Sequence, residues 1–177
     1  MGEYIVKSGG AKPKEKTIYN MPLETSLDDI SGYNRTSVYQ GNTPQTITAD
    51  NGLYLYNNRV VLDMGFLNDV VDNKFKIDFD FKYNSTGTSS YPNYRRIIWW
   101  DSLGVEVSAN HITIVKYGGS VNGKTNATYN DTAWHHSTLI CDIDTKSFVF
   151  IVDNGTESLY LSLTSNFPQN SIVLGES

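Results

Sequence analysis

The sequence predicts an all-β fold, an antiparallel two-sheet jelly-roll sandwich with an extended N-terminal arm. Three observations carry this. Short segments of alternating or β-branched apolar residues recur at close intervals, and clusters of Asn, Asp, Gly and Ser separate them. Only FLNDVVD, residues 66–72, has a pattern that could make a helical turn. The composition agrees: twelve tyrosines stand against seven phenylalanines, which suits half-buried sheets and polar faces more than a uniformly apolar core.

The clearest strand is FKIDFDFKY, residues 75–83. Phe75, Ile77, Phe79, Phe81 and Tyr83 fall on one face, and Lys76, Asp78, Asp80 and Lys82 on the other. That strict period of two defines a strand with one buried side. Before it, TIYNMPL (17–23), LYLY (53–56) and RVVLD (59–63) read as strands; after it come RRIIWWD (95–101), GVEVSA (104–109) and HITIVKY (111–117). Beyond Trp134 follow STLICDI, SFVFIVD, SLYLSLT and SIVLGE. The expected core holds Phe75, Ile77, Phe79, Phe81, Trp134, Leu139, Phe148, Phe150 and Val152. Ten or more short strands at this spacing argue a sandwich or jelly roll.

Residues 1–17 differ from the rest. They carry four lysines against two glutamates in a chain of net charge −5, and SGGAKPKEK reads as a linker after the strand-prone EYIV. We therefore divide the chain into an attachment arm, 1–17, and one sandwich domain, 18–177. Tyr4, Ile5, Val6 and Lys7 are the expected partner-binding part of the arm, adding to an edge of a neighbouring subunit or lying along another protein, with the chain's own sheet edge as the alternative.

Several function classes recede. With 19% charged residues and an acidic balance, the chain lacks the clustered Lys and Arg that nucleic acid requires. No apolar run is long enough for membrane insertion or for a signal peptide at the start of the sequence. The lone Cys141 excludes an intramolecular disulfide; mid-strand, it reads as a small buried residue. Asn34, Asn84, Asn126, Asn130 and Asn154 open Asn-x-Ser/Thr triplets, read as products of an Asn- and Thr-rich composition.

The stretch WHHSTLICDIDTKSFVFIVDNG, from Trp134 to Gly155, presents two adjacent histidines. On a strand, neighbours point to opposite faces, so His135 and His136 cannot act jointly on one atom or one metal. The expectation is that they are structural and that Asp153-Asn154-Gly155 forms a turn. The best candidate for ligand binding is SYPNYRRIIWWD, with Tyr91, Tyr94, Arg95, Arg96, Trp99 and Trp100. Adjacent tryptophans on a strand send one ring inward and the other outward, and an outward Trp beside Tyr and Arg has the parts of a sugar platform or a protein hot spot.

Four segments together resemble the laminin-G-like, concanavalin A-like jelly rolls found in phage virion and bacterial surface proteins: MPLETSLDDISGYN (21–34), LYLYNNRVVLD (53–63), NKFKIDFDFKY (73–83) and AWHHSTLICDIDTKSFVFIVDNG (133–155). Ser137 departs from that pattern, which has Val there, and the sequence given does not continue into the family's closing strand. The resemblance implies calcium as a cofactor only by analogy, with Asp28, Asp29, Asp131 and Asp153 as loop acids; no other cofactor is expected. Glycosidases of this fold carry Glu-x-Asp-x-Glu on one strand. Here the six glutamates are scattered, and Asp78 and Asp80 are flanked by lysines as on a solvated strand face. The expectation is therefore a non-enzymatic phage virion protein, a fibre, decoration or tail component used in host attachment. It would sit on the particle surface with other virion proteins as partners, as a homo-oligomer, with a host surface glycan as a further candidate. The alternative is a carbohydrate-binding module of a bacterial surface or secreted protein.

Overall fold

The computed structural model describes residues 2–6, 16–21, 27, 29–41, 58–82, 94–100, 103–108, 110–116, 120–129, 131, 133–163 and 171–175. For 2–6, 16–21, 58, 94–95, 108 and 120–122 the description is of the backbone alone. The strands are β1 (Gly2–Val6), β2 (Lys16–Met21), β3 (Val38–Gly41), β4 (Asn58–Val61), β5 (Lys74–Lys82), β6 (Tyr94–Trp100) and β7 (Leu103–Ser108). They continue with β8 (His111–Lys116), β9 (Ser120–Lys124), β10 (Trp134–Asp142), β11 (Ser147–Val152), β12 (Glu157–Ser162) and β13 (Ile172–Gly175). A six-stranded sheet has the order β12-β11-β10-β5-β1-β2, and a seven-stranded sheet the order β3-β4-β13-β6-β7-β8-β9. Every pairing is antiparallel. This is the two-sheet sandwich that the strand pattern predicts. No helix among the described residues is long and apolar enough to cross a membrane.

The centre of the first sheet is the β5–β10 pair, in register from Lys74↔Asp142 to Lys82↔Trp134. Phe75, Ile77 and Phe79 of β5, Leu139 and Cys141 of β10, and Phe148, Phe150 and Val152 of β11 point inward and are buried. They meet Ile98 and Trp100 of β6, Val105 and Val107 of β7, and Ile112 and Ile114 of β8. Trp100 packs edge-on against Phe148, with centroids 6.0 Å apart, and lies 5.6 Å from Phe75. Residues 64–69, which share 66–69 with the segment read as a helical turn, form a short 3₁₀ helix that buries Phe66 against Phe75.

Three expectations change. First, Trp134 is 49% exposed. It shares parity with His136, not with Leu139, so a strand that buries Leu139 must turn Trp134 outward. Phe81 is only half-buried at the edge of the core. Second, β1 does not pair outside the chain: it runs between β5 and β2, with Gly2↔Phe79 and Tyr4↔Ile77 on one side and Tyr4↔Tyr19 on the other. One edge of β5 is taken by β10. The other is an intrachain template, which a tethered strand meets at far higher effective concentration than a partner does. Tyr4, Ile5 and Val6 are thus backbone elements of the sandwich's own sheet, and Lys7 lies outside the described residues. The segment read as an arm supplies β1 and the first residues of β2. Third, β9 falls in KYGGSVNGKTNATYND, 116–131, where the sequence suggests no strand; its Val121 and Ser120 pair with Val115 and Lys116, just past a bulge between Ile114 and Val115.

Two stability predictions follow from the core. Phe79 is 7% exposed and packs on Phe150 with ring centroids 6.1 Å apart. Phe79→Ala should cost about 3–5 kcal/mol in urea unfolding. Ser137 is fully buried on the inner side of β10, and its hydroxyl has no hydrogen-bond partner among the described residues. A desolvated hydroxyl without a partner costs free energy that a methyl does not, so Ser137→Ala should stabilise the fold by about 1 kcal/mol in the same experiment. A destabilised variant would mean that the hydroxyl is satisfied.

Candidate functional site

Of the residues singled out in SYPNYRRIIWWD, Arg96, Trp99 and Trp100 have described side chains. Tyr91 lies outside the described residues, and Tyr94 and Arg95 are described as backbone in β6. Trp100 points into the core at 1% exposure. Trp99 points the other way, onto the outer face of the seven-stranded sheet. It lies over Gly104, where a Cβ would come within 2.3 Å of the indole ring, so this residue must be glycine for the ring to rest on the strand. The Arg96 guanidinium is 4.3 Å from the Trp99 ring centroid. On the same outward side, Glu106 and Thr113 are buried, although a bare sheet face would expose them. Trp99 is partly buried there, between Gly104 and the Arg96 guanidinium.

The outer face of the six-stranded sheet is different. Trp134, His136, Thr138 and Ile140 of β10 stand beside Lys82, Asp80, Asp78 and Lys76 of β5, pair by pair. Trp134 is half exposed, with the Lys82 ammonium 5.0 Å from its ring centroid. His136 Nδ1 is 2.8 Å from Asp80 Oδ1. The Thr138 hydroxyl donates to Asp78 Oδ1, and Lys76 Nζ is 3.0 Å from Asp78 Oδ2. Farther along, Ile140 and Val149 lead to Tyr160 of β12, which is 60% exposed. The expectation of a solvated strand face is corrected at Asp78, which is 9% exposed. Its neighbours on both strands crowd it: Thr138 and Lys76 on this face, and β1 paired alongside at Glu3. The face thus combines an accessible indole with a row of hydrogen-bonding groups, each about 6.6–6.8 Å from the next along its strand. The sequence pattern contained the clue: Trp134 and His136 share parity, and FKIDFDFKY places its charges on one side.

Behind this face, His135 points inward and fixes the start of β10. Its Nδ1 is 2.9 Å from Asp153 Oδ2 and its Nε2 is 3.0 Å from Asp131 Oδ1. Two carboxylates can both accept from one ring only if both nitrogens carry hydrogen, so the geometry selects the imidazolium. Burial pulls the His135 pKa down, but hydrogen bonds and charge from Asp153 and Asp131 outweigh it, and the net shift is upward. The Ala133 backbone N–H and the His135 ring hold the Asp131 carboxyl below its ordinary range. Tyr129 packs edge-on against the ring at 4.9 Å, and Phe81 lies 5.5 Å away. Asp153, at a positive φ of 48°, also accepts from the His136 N–H. Glu157 accepts from the Asn126 and Ala127 N–H groups, which lower its pKa. Strand, loop and turn are thereby tied to one another.

Three of the four loop acids considered for calcium are hydrogen-bonded within the chain. Asp131 and Asp153 converge on His135, Asp29 accepts from Ser31 and the Arg35 N–H, and Asp28 lies outside the described residues. Among the described residues no group of three or more His, Cys, Asp or Glu side chains could hold a metal ion.

No protein-family model matches the chain, and no curated protein matches it. Among solved structures it is similar to the catalytic domain of a glycoside hydrolase family 131 protein from Coprinopsis cinerea. The TM-score is 0.44 at 9% identity, over 98% of this chain and 76% of that one. It is also similar to a family 131 β-glucanase catalytic domain from Podospora anserina, with a TM-score of 0.45 at 12% identity, over 99% of this chain and 75% of that one. Two expectations do not stand against these findings: a phage virion protein, and a chain without enzymatic activity. The neighbours are carbohydrate-active catalytic domains. At this identity and TM-score the likeness is one of architecture, and no substrate or residue role passes from those proteins to this chain.

The raised pKa of His135 makes stability depend on pH in a definite sense. The clamp's contribution is fully present below the ordinary histidine pKa of about 6.5 and is lost as pH rises through the higher folded-state value. Urea midpoints should therefore fall from about pH 6.5 upward in the wild type, and this part of the slope should vanish in His135→Gln. An unchanged slope in the variant would mean that the clamp does not hold the proton.

Proposed function

We propose that this chain is a carbohydrate-binding sandwich whose ligand lies across the outer face of the six-stranded sheet. The observation that carries the reading is Trp134, half exposed at the start of β10 and continued along both strands by Lys82, Asp80, His136 and Thr138. A flat indole stacks on the C–H face of a sugar ring, while the neighbouring carboxylate, imidazole and hydroxyl groups meet its hydroxyls. The rigid strands preorganise these groups at low entropic cost. The likeness of the 133–155 hairpin to laminin-G-like modules belongs to the same proposal.

A hydrolytic variant of this reading has one observation in its favour. Asp78 and Asp80 stand two residues apart on the same face, and glycoside cleavage uses two carboxyl groups flanking one bond.

Calorimetry and affinity electrophoresis against a panel of soluble polysaccharides, with reducing ends measured in parallel, test both. Trp134→Ala should weaken binding about thirtyfold, the loss of about 2 kcal/mol typical of a hot-spot aromatic, with unfolding unchanged. Binding that survives in this variant would remove the face from consideration. Reducing ends released by the wild type and lost in Asp80→Asn would make the face hydrolytic.

A further inference from the structure

The charges on the Trp134 face point to the class of sugar, an inference that rests on the reading just given. Lys74 is 2.9 Å from Asp142, Lys76 is 3.0 Å from Asp78, and His136 is 2.8 Å from Asp80. Each cationic or potentially cationic side chain of the β5–β10 pair thus has a carboxylate, except one. Lys82 has no carboxylate within ion-pairing distance among the described residues, and its ammonium rests on the Trp134 ring. Lys82 and Trp134 are direct cross-strand partners, so their Cβ atoms lie about 4.5–5.5 Å apart.

We propose that this pair recognises an anionic sugar residue, carboxylated as in a uronic acid or sulfated, within a glycan chain. The indole takes the ring face, and Lys82 takes the acidic group projecting from the ring edge. An exposed cation–π contact contributes little by itself, whereas an ammonium bonded to a carboxylate or sulfate oxygen forms a charge-assisted hydrogen bond. A neutral glucan can use the indole but leaves the ammonium without a counter-charge. The chain as a whole carries −5, so bulk electrostatics oppose a polyanion. Binding of one would therefore report a local cation and not general charge attraction.

The test compares polygalacturonate, a sulfated galactan and a neutral β-glucan for the wild type, Lys82→Gln, Trp134→Ala and the control Lys124→Gln, an exposed lysine on the opposite sheet. Lys82 is exposed, so the variant should fold normally, which circular dichroism would check. We expect at least one of the two anionic polymers to bind the wild type more tightly than the glucan, with the preferred one distinguishing carboxylate from sulfate. That preference should fall at least tenfold in Lys82→Gln, weaken with added salt, and persist in Lys124→Gln. Equal affinity for the neutral glucan, or an unchanged preference in Lys82→Gln, overturns the anionic class; if Trp134→Ala still weakens binding, the face itself stands. Binding retained in Trp134→Ala, or no binding to any of the polymers, overturns the face and the inference together.

Discussion

Everything described depends on the register of β5 against β10. Nine consecutive pairs, from Lys74↔Asp142 to Lys82↔Trp134, place Phe75, Ile77, Phe79, Leu139 and Cys141 on one side. The same pairs place Asp78, Asp80, Lys82, Trp134, His136 and Thr138 on the other. Because the side-chain period of a strand is two, a slip of one residue would send the phenylalanines to solvent and the charged row into the sandwich. The hydrophobic core therefore enforces the geometry of the outer face. The candidate ligand groups are positioned by the same backbone hydrogen bonds that hold the fold.

The two sheets use tryptophan in three ways. Trp100 fills the core between Phe75 and Phe148. Trp99, one residue earlier, must face away from it; Gly104 gives the ring a flat seat and Arg96 stands over it. Trp134 keeps a half-exposed ring with the Lys82 ammonium beside it. Accessibility decides which of them can contact a large ligand, and accessibility depends on what packs around each ring.

His135 links the core to the periphery. It enters from a strand whose alternate residues form the outer face, yet its own ring points inward to two carboxylates from a loop and a turn. An imidazolium between two carboxylates satisfies charges that would otherwise repel at close range. The turn at Asp153 and Asn154, both at positive φ, is thereby fixed to the beginning of β10, immediately beside Trp134. The ring is a tie whose strength depends on its proton.

The strand periodicity of FKIDFDFKY and of the 134–155 hairpin was sufficient to establish an all-β sandwich and most of its core. Local alternation is a property of adjacent residues and needs no partner to be read. The same alternation separated His135 from His136 and Trp99 from Trp100. What alternation cannot supply is which strands become neighbours. The β1 segment looked like a free arm because its pairing with β5 spans about seventy residues of sequence, and such long-range contacts leave no trace in local pattern. The meeting of Asp131, His135 and Asp153, the burial of Asp78, and the placement of Lys82 over Trp134 all arise from cross-strand and loop contacts. The primary sequence determined the two faces of each strand; only tertiary packing decided which face is open, because exposure depends on neighbours brought together by folding.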